Sequence, residues 1–134
     1  MSQGPDMGGL SRLLGIRPGT IGDGRCSFAL TVAPHPMNPY GAVHGGVVYS
    51  LVDQAMGGAL FSRLEPGERC TTLEIKINYL ASVTAGELTA QASVLQRTKR
   101  TGVLEAKVHG DGGTLVAAAT GTFFILSARA ADGS

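Results

Sequence analysis

The chain has 134 residues, near the common size of one domain, so we expect a single domain over 1–134 with an ordered body of about 10–126. Of its residues, 43% are apolar and only 16% are charged, below the roughly 25% of an ordinary soluble domain. This deficit predicts that some surface is buried against another chain. A net charge of +1 excludes the strong positive field of a general nucleic-acid binder.

The beginning of the chain contains no continuous apolar stretch typical of a secretory signal, and no later segment is long enough to span a bilayer. The two cysteines, Cys26 and Cys70, have no Cys or His nearby at zinc-ligand spacing, and both fall in strand-like segments. We therefore expect a cytoplasmic, reduced protein without a metal or redox cofactor, and without a membrane or nucleic-acid partner.

The first regular elements predicted along the chain are two strands joined by a tight turn. Gly22, Asp23 and Gly24 form the hairpin signal between an N-terminal extended stretch and a strand over 25–33. In that strand apolar residues alternate with small or polar ones. This alternation predicts that one face of the strand is buried.

The connection that follows, 34–43, is rich in proline and ends at His44-Gly45-Gly46, where a helix is predicted to begin. A helix N-terminus presents unpaired N–H groups and a partial positive charge, which favour an anion or a developing oxyanion. Glycine at positions 45 and 46 is expected to leave room for a substrate carbonyl to reach these donors. Two turns later, Asp53 is expected in the wall of the same groove.

The segment 44–62 predicts the one long helix of the chain, because apolar residues recur in it at helical spacing. Its opposite side carries one stripe of residues at i, i+4, i+7 and i+11, namely Gly46, Ser50, Asp53 and Gly57. A solvent-facing stripe is expected to carry Lys and Glu, but Asp53 is the only charged residue of the segment. Each glycine sacrifices roughly 1 kcal/mol of helix propensity relative to alanine. We therefore expect a partner subunit, a ligand or both to approach this stripe.

Strand patterns follow the helix. The first, 72–79, alternates so that one side carries Leu73, Ile75, Ile77 and Tyr79 while Thr72 lies on the other side. Two more occur around 88–94 and 104–108, joined by a polar turn at 98–102. The last strand, 114–126, is apolar on both faces, which predicts an interior position in the sheet. One helix against about six antiparallel strands is an α+β layout.

Asn38, then His44-Gly45-Gly46, then Asp53 nine residues after the histidine resembles the motif of hotdog-fold acyl-CoA thioesterases of the phenylacetic-acid-degradation, 4-hydroxybenzoyl-CoA thioesterase-like family. The resemblance covers nearly the whole folded body. It implies one central helix wrapped by a bent antiparallel sheet, pairing of subunits edge to edge and an active site at the dimer interface. A dimer or homotetramer is the implied assembly, and an acyl-CoA thioester is the implied substrate.

The resemblance also implies roles for individual residues. The Gly45 N–H would polarise the thioester carbonyl, Asn38 and His44 would shape the pocket, and Asp53 of the facing subunit would attack the carbonyl or activate a water. Thr72 falls where a hydroxyl residue in some relatives positions that water. The remaining substrate-binding candidates are Gly46 beside the oxyanion donor and the cations of a basic turn that would contact the CoA phosphates, Arg97, Lys99 and Arg100.

The chemistry agrees with these residue types. A thioester is already an activated acyl donor, so catalysis needs chiefly a carboxylate nucleophile or base and donors aimed at the developing oxyanion. No serine-nucleophile elbow of the GxSxG type is present. We therefore expect hydrolysis of the thioester to a free acid and CoA, with no metal or cofactor beyond the CoA of the substrate.

Each candidate also has a purely structural interpretation. Asp53 could cap a backbone group or pair with an arginine, and an Asn-Pro pair such as Asn38-Pro39 is ordinary turn chemistry. Thr72 would by default lie on the exposed side of its strand, and the basic turn could simply be solvated. His35 and His109 have no constellation around them and receive no role.

Two other functions remain open from the sequence. One is a hotdog hydratase or dehydratase, and the other is a noncatalytic acyl-CoA binding domain. The acyl group itself is also open between aryl-acetyl and medium-chain groups. Candidates for the walls of an apolar acyl pocket are Tyr40, Tyr49, Met56 and Phe61.

Overall fold

A computed structural model describes residues 7–32 and 37–127 of the chain. Two helices, six strands and one short 3-10 turn make up this part of the chain. In chain order they are α1 (Gly9–Leu14), β1 (Arg17–Gly22), β2 (Arg25–Thr31), α2 (Gly45–Phe61), β3 (Arg69–Tyr79), β4 (Glu87–Arg97), β5 (Thr101–His109), the 3-10 turn (Asp111–Gly113) and β6 (Leu115–Leu126).

The six strands form one antiparallel sheet in the order β1-β2-β4-β5-β6-β3, and α2 packs on one face of it. The predicted α+β layout of one long helix and about six strands is confirmed. The last strand is interior, as expected, since β6 is hydrogen-bonded to both β5 and β3. Its two faces nevertheless differ, because from Ala117 onward only alternate residues are buried. Strands β1 and β3 are left as the edges of the sheet.

The first hairpin has the tight turn predicted from its sequence. Asp23 and Gly24 both have positive φ angles, 55° and 75°, as a two-residue type I′ turn requires. The strand after the turn ends at Thr31, two residues earlier than predicted. Residue 33 lies outside the described residues, as does His35 in the connection that follows.

The core lies between α2 and the sheet. Leu51, Val52, Ala55 and Leu60 are fully or almost fully buried on the helix, and they pack against the inner positions of the strands. The helix approaches β2 closely at Gly58, where an added Cβ would lie 2.6 Å from the Cys26 Sγ atom. The fully buried face therefore fixes how the helix is rotated, and the stripe with Asp53 is turned away from the centre of the core.

The short helix α1 was not predicted from the sequence. Its Ser11 is 4% exposed, and the Ser11 hydroxyl donates a hydrogen bond of 2.9 Å to Gln54 Oε1 on α2. Six residues are too few for a periodic pattern to stand out, and a helix this short depends on tertiary contacts. Neither helix of the described part of the chain has the length and apolar composition needed to cross a membrane.

Candidate active site

Asp53 lies in the middle of α2, half-buried, where one hydroxyl group holds its carboxylate. The Thr72 hydroxyl on β3 donates a hydrogen bond of 2.7 Å to Asp53 Oδ1. The Cys70 thiol is close by: burial raises its pKa, and the negative charge of Asp53 raises that pKa further. Cys70 is therefore a neutral thiol beside the carboxylate, and the structure brings Asp53 and Thr72 together.

A β-bulge in β3 explains why Thr72 reaches the helix. Register with β6 shifts between Thr72 and Glu74, so the strand has one extra residue there and Leu73 is 56% exposed. Before the bulge Thr72 pairs with the buried Phe123 of β6 and faces inward. After the bulge the inward-facing residue is Ile75. The prediction that Leu73 shares one side with Ile75, and the default position of Thr72 on the exposed side, are therefore wrong, because the bulge interrupts the alternation.

The start of α2 is capped by His44. The His44 Nδ1 atom accepts a hydrogen bond of 2.8 Å from the Gly46 N–H, and the His44 carbonyl accepts one of 2.9 Å from the Val47 N–H. Within residues 7–32 and 37–127, no acceptor takes the Gly45 N–H. An unpaired N–H at a helix N-terminus is a donor for an anion or a developing oxyanion. The Gly45 N–H is thus free within the described residues, and its role as the oxyanion donor stays a prediction.

Tyr79, at the end of β3, was not recognised as a site residue from the sequence. Its hydroxyl donates a hydrogen bond of 2.8 Å to the Gly45 carbonyl oxygen. A Cβ atom at Gly45 would lie only 3.2 Å from the Tyr79 ring. The position that a side chain at residue 45 would occupy is therefore taken by this ring. The expectation that Gly45 leaves room for a substrate carbonyl at its N–H stays a prediction. A tyrosine in an apolar alternation gave no signal of this contact.

Asn38 closes the loop that leads into α2. Its Oδ1 atom accepts hydrogen bonds from the Tyr40 N–H at 2.9 Å and the Ala42 N–H at 3.1 Å. Its own backbone N–H donates to the Ala42 carbonyl at 2.7 Å. The turn role of Asn38 is thus observed, and the loop delivers His44 to the helix start. Contact of Asn38 with a substrate stays a prediction.

The oxyanion donor and the carboxylate are far apart within one chain. Gly45 and Asp53 are eight residues apart on α2, which corresponds to about 12 Å along the helix axis at 1.5 Å per residue. Reacting groups must approach to roughly 3 to 3.5 Å. Within one chain the two groups are therefore too widely spaced for one carbonyl to bind the Gly45 N–H and be attacked by Asp53. The expectation that Asp53 acts on a carbonyl bound by the facing subunit stays a prediction.

The basic turn between β4 and β5 divides into two parts. Arg97 forms a salt bridge with Glu68, with 2.8 Å between Nη1 and Oε1, and also donates a hydrogen bond of 2.6 Å to the Arg63 carbonyl. Lys99 and Arg100 are exposed beside a surface pocket of about 310 Å³. Arg97 thus ties the hairpin to the end of α2, while the other two cations face solvent.

The four candidates for an acyl pocket do not form one wall. Met56 is fully buried in the core below the sheet, so its assignment to an open pocket is wrong. Tyr40 and Phe61 are 94% and 67% exposed. Tyr49 is half-buried and lies near Tyr79. The pKa of the Tyr79 phenol is raised, first by burial and then by the neighbouring Tyr49.

One central helix on a six-stranded antiparallel sheet, with a carboxylate on the helix and an unpaired glycine N–H at its start, defines the hotdog class of enzymes. Residues 40–117 match the thioesterase superfamily, and the chain belongs to this family. The sequence-based prediction of a thioester hydrolase with this fold is confirmed.

Several relatives of known sequence or structure are similar to the chain. A 1,4-dihydroxy-2-naphthoyl-CoA hydrolase of Listeria monocytogenes is 35% identical over 100 residues, 75% of this chain and 81% of the relative. A conserved protein of Pseudomonas aeruginosa has a structure with a TM-score of 0.85 at 40% identity, covering 89% of this chain and 94% of that one. The PaaI protein of the E. coli phenylacetic acid degradation operon has a TM-score of 0.82 at 28% identity, with 88% and 84% covered.

Proposed function

We propose that this enzyme hydrolyses acyl-CoA thioesters to a free acid and CoA, with Asp53 as nucleophile or general base and the Gly45 N–H as oxyanion donor. The observation that carries the proposal is the hydrogen bond from Thr72 to Asp53, which holds the only charged side chain of α2 in a half-buried position. A carboxylate with a purely structural role would be expected to pair with a cation or cap a backbone group. Within the described residues it does neither.

Because Thr72 binds only one oxygen of the Asp53 carboxylate, the other oxygen is the one proposed to react with the substrate or with water. Thr72 holds Oδ1, and within the described part of the chain no donor is paired with Oδ2. In the nucleophilic route Oδ2 attacks the carbonyl carbon, the C–S bond breaks, CoA leaves as the thiolate, and water hydrolyses the resulting anhydride. In the general-base route Oδ2 takes a proton from the attacking water instead. Both routes consume one water, and neither requires a metal or redox cofactor.

The proposed site draws on two chains. A carbonyl bound to the Gly45 N–H of one subunit is attacked from Asp53 of the other, since the two groups are too far apart on one helix. Strand β3, which carries Thr72 and Tyr79, is an edge of the sheet and has one side available for pairing. An isologous pair of chains would generate two equivalent sites.

The proposed acyl group is aromatic, with medium-chain acyl groups as the alternative. The similar Listeria monocytogenes protein is a hydrolase of 1,4-dihydroxy-2-naphthoyl-CoA, and the similar E. coli protein comes from a phenylacetic acid operon. On this chain Tyr49 and Tyr79 place two aromatic rings near the start of α2. We assign the CoA phosphates to Lys99 and Arg100, because Arg97 is already paired with Glu68.

Asp53→Asn tests the central assignment, because it keeps the size of the side chain and removes its negative charge. Loss of a nucleophile or general base typically costs a factor of about 10² to 10⁴. We expect kcat to fall by that factor while KM changes little, as for an interaction made only in the transition state. The measurement is release of free thiol from phenylacetyl-CoA and from a medium-chain acyl-CoA.

Asp111→Asn is the matched control, because it makes the same change at an exposed position in the turn between β5 and β6. It should retain the activity of the parent. If Asp53→Asn keeps more than about a tenth of the parent kcat, well above the range expected for loss of a general base, the carboxylate is structural and the assignment fails. Thiol release itself separates hydrolysis from mere binding of the acyl-CoA.

A further inference from the structure

Two side chains at the start of α2 are hydrogen-bonded to one peptide unit, the one between Gly45 and Gly46. The Tyr79 hydroxyl donates to its carbonyl oxygen at 2.8 Å. Its N–H donates to His44 Nδ1, also at 2.8 Å. Tyr79 on β3 and His44 at the cap are therefore joined by a continuous chain of hydrogen bonds through the backbone.

This chain determines the tautomer of His44. An imidazole nitrogen that accepts a hydrogen bond carries no proton, so neutral His44 must hold its proton on Nε2. The His44 side chain is exposed at the helix start, next to the unpaired Gly45 N–H. The cap thus presents two N–H donors, one from the backbone and one from the ring.

We infer that Tyr79 is a positioning residue of the thioesterase site, which binds the Gly45 carbonyl and so fixes the backbone of Gly45, whose own N–H is the proposed oxyanion donor, and which holds His44 as an Nε2–H donor through the Gly46 N–H. The inference rests on the proposed function, in which Gly45 binds the thioester carbonyl. A donor to the carbonyl of the Gly45–Gly46 peptide polarises it and strengthens the hydrogen bond that the Gly46 N–H makes with His44. The Gly45 N–H gains from the fixed position of its backbone, because preorganised donors stabilise a developing oxyanion.

Two observations give Tyr79 this role rather than that of a passive wall. Its ring lies so close to Gly45 that any larger residue there would be crowded, so ring and backbone are fitted to each other. Its hydroxyl also reaches the Gly45 carbonyl at 2.8 Å, a contact that a ring serving only to fill space would not make.

Tyr79→Phe tests the inference, because it keeps the ring and removes only the hydroxyl. We expect kcat for phenylacetyl-CoA to fall by about 10- to 100-fold, the scale of a small misplacement of a reacting group, with KM nearly unchanged. In the resting enzyme, the ¹⁵N signals of the His44 ring should move from those of a pure Nε2–H tautomer toward a mixture. The Gly46 amide proton should shift upfield as its hydrogen bond weakens.

Tyr49→Phe is the control for the magnetic resonance experiment, since Tyr49 makes no hydrogen bond to this peptide in the described part of the chain. It should leave the His44 signals unchanged. Unchanged His44 signals in Tyr79→Phe would overturn the coupling, and unchanged kcat would overturn the positioning role. Because the His44 signals are measured without substrate, they do not depend on the outcome of the Asp53→Asn test. Failure of that test would remove the proposed function but not the coupling.

Discussion

Thr72 shows how much of the site depends on a single residue in β3. The bulge at Leu73 turns its hydroxyl toward the helix, where it donates to Asp53. The same strand places Cys70 beside the carboxylate and Tyr79 beside Gly45. One edge strand therefore contacts both the carboxylate and the oxyanion donor of α2, although the two belong to different proposed sites of the assembly.

Thr72→Val keeps the shape of the side chain and removes the hydrogen bond to Asp53. We expect kcat to fall by about 10-fold or more, because a carboxylate that is free to rotate is less often aligned with the carbonyl. Thr72→Ser should restore most of the activity. The measurement is kcat and KM for thiol release in the three proteins.

Thr71→Val serves as the control for this series. Thr71 is the preceding residue of β3, lies on the opposite, exposed face and makes no side-chain hydrogen bond among those found in the described residues. It should behave as the parent. Equal kcat values for Thr72→Val and Thr71→Val would mean that the Thr72 hydroxyl does not orient the carboxylate.

At the scale of elements, the hairpin of β4 and β5 is held by an ion pair rather than by apolar contacts alone. Arg97 binds Glu68 and the Arg63 carbonyl, so it joins the hairpin turn to the connection between α2 and β3. The hydrogen bond from Arg97, and then that from the Glu65 N–H, lowers the pKa of Glu68. The basic turn therefore has a structural role, because Arg97 anchors it to the connection between α2 and β3.

This pairing makes stability depend on pH in a defined direction. Since the folded pKa of Glu68 is lowered, its contribution is present above the unfolded pKa, near 4.3 for Glu, and is lost as pH falls through the folded value. We expect Glu68→Gln to lower Tm at pH 7, and the difference from the parent to shrink in that acidic range. Thermal unfolding followed by circular dichroism between pH 7 and pH 3 measures this.

Glu105→Gln is the control for the pH series. Glu105 is exposed on β5 and forms no salt bridge among those found in the described residues. Its substitution should leave Tm close to that of the parent at neutral pH. A Tm difference for Glu68→Gln that stayed constant down to pH 3 would show that packing, and not the charge of Glu68, is what the variant loses.

At the scale of the whole molecule, the spacing of Gly45 and Asp53 underlies the proposal of a site shared between two chains. The two residues are about 12 Å apart along one helix, and the sheet ends in the edge strand β3 that carries Thr72. We expect at least a dimer, and a tetramer if a second surface is also paired. The low charge of the chain agrees with extensive contact between subunits.

Complementation tests the shared site. Asp53→Asn and Gly45→Ala should each be nearly inactive alone, the second because an added methyl meets the Tyr79 ring at 3.2 Å. When the two chains are co-expressed, half of the dimers are mixed, and each mixed dimer has one intact site. Thiol release should then recover to about a quarter of the parent value, as the two equivalent sites of a symmetric dimer require.

The masses of the parent protein and of the co-expressed mixture, measured by light scattering, control for assembly. A monomer with full activity, or a co-expressed mixture no more active than its components, would place both groups in one chain. Either result would contradict the two-chain site while leaving the family and the fold as they are.

The amino-acid sequence by itself determined most of the elements, because hydrophobic periodicity is a local property. The helix over 44–62, the turn at Asp23 and the later strands were all predicted within a few residues. The order of Asn38, the His44-Gly45-Gly46 cap and Asp53 likewise predicted the family, since the whole motif lies within one short segment of the chain.

Only the tertiary structure decided which side chains meet. The bulge that turns Thr72 inward depends on register with β6, the burial of Met56 depends on how α2 is rotated on the sheet, and the Tyr79 contact joins residues 34 positions apart. The α1 helix is held by a contact with Gln54 that spans 43 positions. Such contacts leave no period in the sequence, because they are set by the packing of elements against one another rather than by the residues adjacent to them.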